Sequence, residues 1–265
     1  MYTKKTTKKK PAAKKTITKR KPAKKPAAPW KPKTRALMLR TCSAQMTGHG
    51  GFKWPRSGYV EAPDWNPAAV CGGGLHGLLW GEGDAGYLSV AEGAVWMVVE
   101  VDAGEVVSID GDKVKVPRGN VVFAGQRHEA TAFLMADPGA AGKRCNYGTA
   151  TAGDGGTATA GDGGTATAGN SGTATAGDGG TATAGYRGTA TAGNYGTATA
   201  GNYGTATAGD GGTATAGYYG TISIQYYDPK RDKYRVMVAE VGEGGIKPNT
   251  AYHVVDGKLT EKPKT

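Results

Sequence analysis

The hexapeptide Gly-Thr-Ala-Thr-Ala-Gly occurs nine times between Gly148 and Gly217 at a fixed spacing of eight residues, and nothing else in the chain limits its fold as severely. A short fixed period is the signature of stacked coils, none of which buries its inner face alone. Thr and Ala alternate, which puts them on opposite faces of a strand. Gly flanks each run where the chain must turn. The tenth copy, Gly220-Thr221-Ile222-Ser223-Ile224-Gln225, distinguishes the faces, because Ile replaces Ala and Ser replaces the second Thr. Ala therefore points inward and Thr outward, with the Ile pair filling or capping the last coil.

Eight residues are few for a closed coil with two turns, so two octapeptides make one sixteen-residue coil. The ten copies give about five coils, a rod about 20–25 Å long at roughly 4.7–4.8 Å per stacked strand. Two Thr faces follow. One carries Thr149/Thr151, Thr165/Thr167, Thr181/Thr183, Thr197/Thr199 and Thr213/Thr215. The other carries Thr157/Thr159, Thr173/Thr175, Thr189/Thr191, Thr205/Thr207 and Thr221/Ser223. The corners also separate. One edge stacks Asp154, Asn170, Tyr186, Asn202 and Tyr218, with Tyr203 and Tyr219 beside them; the other stacks Asp162, Asp178, Asn194 and Asp210 and reads as mostly acidic. The Tyr-rich edge is a candidate contact for a protein partner.

The rest of the chain divides by composition. Residues 1–35 hold 15 of the 33 Lys and Arg and no acidic residue, so the net charge of +11 belongs to a tail on a slightly acidic body. That tail is rich in Lys, Pro and Ala and has too little apolar surface to offset chain entropy, so it is expected to be disordered. Its cations, Lys4, Lys5, Lys8, Lys9, Lys10, Lys14, Lys15, Lys19, Arg20, Lys21, Lys24 and Lys25, suit sequence-independent, salt-dependent contact with phosphates, which makes nucleic acid the expected partner of the tail. No apolar segment follows the basic start, so no signal peptide is expected. No run of about 18 apolar residues is present, so no membrane span is expected either. A cytoplasmic or phage-associated location follows from these readings.

Residues 36–146 read as a small α+β domain. Strands are expected at 36–41, 95–101 and 120–123, a hairpin over 106–116 turning at Asp110-Gly111, and a short helix over 128–135. Residues 225–265 add strands at 234–241 and around a second Asp-Gly turn at Asp256-Gly257. This C-terminal segment is expected to complete the α+β domain or to cap the repeats. The fold class is thus mainly β: a short Ala-cored β-solenoid over 147–224 flanked by a small α+β domain.

The chemistry-bearing candidate is the glycine-rich stretch Cys71–Asp84, read as a loop in which His76, Glu82 and Asp84 are weak catalytic candidates. Gly-Gly-Gly is not a dinucleotide fingerprint. Cys42, His49, Cys71 and His76 have no defensible zinc-site spacing. No metal or cofactor is expected.

Three resemblances add to this reading. The Lys/Pro/Ala tail is similar to histone linker tails and bacterial nucleoid-protein tails. GGFKWP (50–55), VEAPDW (60–65), CGGGLHGLLWGEG (71–83) and VGEGGIKPNTAYHV (241–254) resemble an uncharacterised family of phages and bacteria. In that family a domain with a Gly-Leu-His turn precedes glycine-rich repeats; the likeness implies an architecture and a phage or prophage setting but no activity. The frames at 184–191, 192–199 and 216–223 are similar to the octapeptides of bacterial ice-nucleation proteins, which implies ordered-water or ice binding through Thr-x-Thr arrays. Three functions stay open: a non-enzymatic, phage-like structural protein with a nucleic-acid-contacting tail; an ice-binding protein; and an enzyme using His76.

Overall fold

The computed structural model describes residues 30–109 and 113–263. The tail cations at positions 4–25 and the turn at Asp110-Gly111 lie outside the described residues.

The N-terminal unit is a seven-stranded antiparallel sheet with one helix. In chain order its strands are β1 (Arg35–Cys42), β2 (Gly58–Glu61), β3 (Leu75–Leu79), β4 (Val95–Asp102), β5 (Val107–Ile109), β6 (Lys113–Val116) and β7 (Arg118–Gly125), followed by α1 (Arg127–Met135). They lie side by side in the order β2-β7-β4-β1-β3-β6-β5. β1 and β4 pair along their full length, from Arg35–Asp102 to Cys42–Val95. Ala36–Leu39 and Trp96–Val99 are buried at every position, so the middle of the sheet is covered on both sides. The β-branched and long apolar side chains in these runs make that burial possible. α1 starts at a reciprocal capping box between Gln126 and Glu129, which satisfies two backbone donors of its first turn. It turns Ala130 and Leu134 into the core.

The array begins on this unit. Asn146 is buried; its amide donates to Gly83 O (2.6 Å), and its Oδ1 accepts from Asp162 N (3.0 Å). Tyr147 packs edge-on against Trp96, with ring centroids 5.5 Å apart. Nine short strands follow: β8 (Thr149–Ala152), β9 (Thr157–Thr159), β10 (Thr165–Ala168), β11 (Thr173–Ala176), β12 (Thr181–Ala184), β13 (Thr189–Ala192), β14 (Thr197–Ala200), β15 (Thr205–Ala208) and β16 (Thr213–Ala216). Each pairs in parallel with the strand sixteen residues away, Thr on Thr and Ala on Ala, as in Thr165–Thr181 and Thr189–Thr205. Even-numbered strands form one sheet and odd-numbered strands the other. The Ala side chains meet between the two sheets, from Ala166 and Ala174 through Ala206 and Ala214, all fully buried. A core of single methyl groups fixes the sheet separation, and the close approach follows from Ala alone.

Four further strands close the array: β17 (Thr221–Asp228), β18 (Lys233–Glu240), β19 (Tyr252–Val255) and β20 (Lys258–Glu261). β17 stacks in parallel on β15, so Ile222 and Ile224 take the Ala positions and are buried. The C-terminal strands do not complete the N-terminal sheet, which corrects one of the two expected placements. β18 pairs antiparallel with β17, and β19 pairs with β16, so both solenoid sheets end in a hairpin. Asp256 and Gly257 both hold positive φ, the geometry of a tight hairpin turn.

Candidate functional site

His76 lies in β3, opposite Lys115 of β6, and not in a loop. The glycine-rich run before it has a packing role. Lys115 is fully buried, and its ammonium donates to Val70 O (2.8 Å) and Gly72 O (2.9 Å). Gly74 permits this close cover, because a Cβ there would sit 3.1 Å from the Trp65 ring and 3.3 Å from Lys115 Cβ. The alternation Lys-Val-Lys-Val at 113–116 suggests an exposed lysine face, so sequence reasoning missed this buried cation. Arg40, on β1, is half-buried. Its guanidinium stacks 3.9 Å over Trp54, donates to His76 O (3.0 Å), and is lowered to about 10 by burial.

These neighbours determine the state of His76. Burial first, then the positive charges of Lys113, Arg40 and Lys115, pull its titration below the usual value, and Nε2 is enclosed without a hydrogen-bond partner. The side chain is therefore held neutral. Glu82 and Asp84 are not brought to it. Glu82 accepts from Arg144 N (3.0 Å) and faces Lys143 Nζ (3.3 Å), while Asp84 accepts from Gly86 N (2.7 Å) and caps a short turn. The two carboxylates instead line an open hollow of about 520 Å³ with Asn146 and Asp162, at the root of the array. Neither is hydrogen-bonded to His76 among the described residues, so the three form no acid–base unit. Nor is any group of three or more His, Cys, Asp and Glu placed to hold a metal ion among those residues.

A neutral, half-buried histidine has a pH consequence. Its folded pKa lies below the unfolded value of about 6.5, so the unfolded chain binds more protons once the pH falls beneath that value. Stability is then insensitive to this group above about pH 6.5 and falls below it, by at most about 1.4 kcal/mol per pH unit. Urea unfolding at pH 7.5 and pH 5.5 should show a larger loss of midpoint for the parent than for His76→Gln. Equal losses would mean that His76 does not titrate on unfolding.

The array presents four long surfaces. On the sheet of even-numbered strands, Thr149, Thr165 and Thr181 are exposed and Thr151, Thr167, Thr183, Thr197, Thr199 and Thr215 are exposed or half-buried. Thr213 is covered, and its hydroxyl accepts from Lys262 Nζ (3.1 Å). On the sheet of odd-numbered strands every pair is open: Thr157, Thr173 and Thr189 are exposed, and Thr159, Thr175, Thr191, Thr205, Thr207, Thr221 and Ser223 are half-buried. Strand stacking repeats each pair at about 4.8 Å, and the two Thr of a pair stand about 6.6–6.8 Å apart along the strand.

The corners are held by a device that composition alone did not reveal. Each Asp or Asn at the turn accepts, through its side-chain oxygen, the backbone N–H of the corresponding residue one coil later. On one edge this chain is unbroken: Asn146 accepts from Asp162, Asp162 from Asp178 (3.0 Å), Asp178 from Asn194 (2.7 Å), Asn194 from Asp210 (2.9 Å) and, at the end, Asp210 from Tyr227 seventeen residues on (3.0 Å). On the other edge Asp154 serves Asn170 and Asn170 serves Tyr186, but Tyr186 has no oxygen in reach, and the chain resumes with Asn202 and Tyr218. There the rings pack together instead. Tyr186 meets Tyr203 edge-on with centroids 5.6 Å apart, Tyr203 stacks on Tyr219 at 5.2 Å, and Arg187 lies over Tyr186 at 5.4 Å. Tyr195 stands exposed on the acidic edge, so that edge is not purely acidic.

Comparisons with known proteins give two kinds of match. Residues 36–135 match a family described as a domain of unknown function, DUF7666. Another match is the ice nucleation protein InaU of Pantoea ananas, 41% identical over 102 residues, which are 38% of this chain and 10% of that protein. An ice nucleation protein of Pseudomonas syringae is 43% identical over 103 residues, 38% of this chain and 9% of that protein. One from Xanthomonas campestris pv. translucens is 38% identical over 104 residues, 39% of this chain and 7% of that protein. The chain thus spans about a tenth or less of the length of these relatives. No solved structure matches it.

Proposed function

We propose that the solenoid is a non-catalytic binding surface for ordered water, engaged at ice through the sheet of odd-numbered strands. One observation carries this reading: five rows of Thr-x-Thr or Thr-x-Ser, from Thr157/Thr159 to Thr221/Ser223, stand in register and uncovered on one face. Water molecules in tetrahedral contact lie about 2.75 Å apart, which puts second neighbours about 4.5 Å apart. Thr rows at about 4.7–4.8 Å nearly match that interval. Thr is suited to the task because its branched Cβ restricts χ1, so little rotamer freedom remains to be lost when water orders on the hydroxyls. The similarity of the repeats to proteins named for ice nucleation supports the same reading. That similarity favours the ice-binding reading over the nucleic-acid-contacting tail, whose cations lie outside the described residues.

A patch only about five strands long orders few waters, so the expected activity is control of ice-crystal growth rather than a raised freezing temperature. The intact protein should inhibit ice recrystallisation. Thr189→Lys, at the centre of the open face, should lower that activity at least fivefold, with the far-UV spectrum unchanged. Thr181→Lys, on the face partly closed by Lys262, should leave more than half. Absence of inhibition by the parent, or equal loss from both substitutions, would overturn the proposal.

A further inference from the structure

We propose that the outer edge of β18 is an interface between two copies of this chain, which join by antiparallel β18–β18 pairing. The inference is independent of what the Thr faces bind.

β18 ends the six-stranded sheet, and among the described residues no strand pairs with its outer side. It runs eight residues, Lys-Tyr-Arg-Val-Met-Val-Ala-Glu, without proline, and its pairing with β17 has no register shift. Val241 N donates to Gly220 O at 2.8 Å, and antiparallel bonding alternates along the strand. The backbone groups of Lys233, Arg235, Met237 and Ala239 therefore point to β17, and those of Tyr234, Val236, Val238 and Glu240 point away. The side chains at Tyr234, Val236 and Val238 lie on the outward face and are 59%, 60% and 59% exposed. An edge that is long, apolar and unbroken is a template for another strand. The neighbouring sheet ends differently: β20 has only four residues and is followed at once by Lys262 and Pro263, features that discourage pairing.

Charge selects the occupant. The β18 segment is net basic at its start, where Lys230, Arg231, Lys233 and Arg235 outnumber Asp228 and Asp232 although Arg231 and Arg235 pair with Asp228, and acidic at its end, with Glu240 and Glu243. A second copy running antiparallel sets basic start against acidic end at both ends of the contact. Faces and charges also select a register. With Met237 on a two-fold axis perpendicular to the sheet, Val236 lies opposite the partner's Val238, and Tyr234 lies opposite the partner's Glu240. Moving the axis to Val236 would instead oppose Glu240 and the partner's Asp232. In the favoured register two six-stranded sheets become one continuous sheet, its outward apolar patch closed at the centre and its Thr rows facing the same way on both sides.

The test is the mass of the full chain by sedimentation equilibrium through the micromolar range. The expected result is twice 27.1 kDa, falling toward 27.1 kDa on dilution. Val236→Pro removes one of the outward-pointing N–H groups and none that bonds to β17. It should give 27.1 kDa at all concentrations with an unchanged far-UV spectrum and unfolding midpoint. Val238→Lys should do the same, which guards against a folding defect in the proline variant. Amide exchange at Tyr234, Val236, Val238 and Glu240 should slow with concentration in the parent alone. A parent that stays monomeric, or a dimer that survives both substitutions, overturns the proposal. So does a dimer lost only on Tyr203→Ser with Tyr219→Ser.

Discussion

Replacing Ile222 and Ile224 together by alanine is expected to cost the array about 4–10 kcal/mol, taking about 2–5 kcal/mol for each buried Ile→Ala change. A typical domain has only about 5–15 kcal/mol in all, so the last coils should open well before the N-terminal sheet. The argument rests on where the Ile pair sits. Both side chains are buried, in the coil where β17 receives β18 on its free side, and both occupy positions that are Ala in every earlier coil. Their inward neighbours on β18 are Ala239 and Met237, which are not part of an Ala stack. The larger side chains fill the space that opens where the solenoid stops. The reverse change should also destabilise. Ala190 is fully buried between two Ala strands in mid-array, so Ala190→Ile forces the sheets apart at a cost of about 1–3 kcal/mol or more. Urea unfolding followed by far-UV circular dichroism checks both. A parental midpoint for the double alanine variant would mean that the last coil has no role as a cap.

The second large effect is expected from one methyl group at a corner. Gly201 has its N–H bonded to Ala184 O (3.0 Å) and Gly185 O (3.2 Å) of the preceding coil. A Cβ there would lie 2.8 Å from Gly185 C, Gly185 O and Tyr186 N. All three atoms are backbone, so no rotamer change relieves the clash and the two coils must separate locally. Gly201→Ala should therefore lower stability by about 3 kcal/mol or more, from overpacking plus weakened corner hydrogen bonds. Gly153 holds the same place in the octapeptide, but it belongs to the first coil of its edge and no coil precedes it. A Cβ there meets nothing within 4 Å. Gly153→Ala should change the unfolding midpoint little, and a loss equal to that of Gly201→Ala would show that the turn itself, and not coil contact, demands glycine.

What was legible in the chain was whatever repeats or alternates. The eight-residue period, the Thr/Ala alternation and the Ile-Ser-Ile variant led to paired sheets with Ala inside, because each reports side-chain direction over a few residues. Illegible features depended on distant partners. β3 was hidden because Leu75–Leu79 follows three glycines that read as a loop, whereas their backbone covers Lys115. Lys115 itself alternates with valine like a surface lysine, and only the crossing of residues 70–72 buries it. The C-terminal strands are plain as strands, but local pattern does not say which sheet edge they join. The corner hydrogen bonds were missed for a different reason: Asp and Asn after glycine suggest a turn, and nothing local shows that the side chain serves the next coil.

The alternation of two unlike edges restricts how such an array changes in length. A gain or loss of sixteen residues adds or removes one whole coil, and every Asp or Asn still meets its partner one coil on. A gain or loss of eight exchanges the edges for everything downstream. The tyrosine stack would then meet the acidic ladder, and β17 would arrive over the sheet that now receives β19. An addition of sixteen residues therefore keeps each edge continuous, whereas an addition of eight, although it copies one complete sequence repeat, joins two unlike edges.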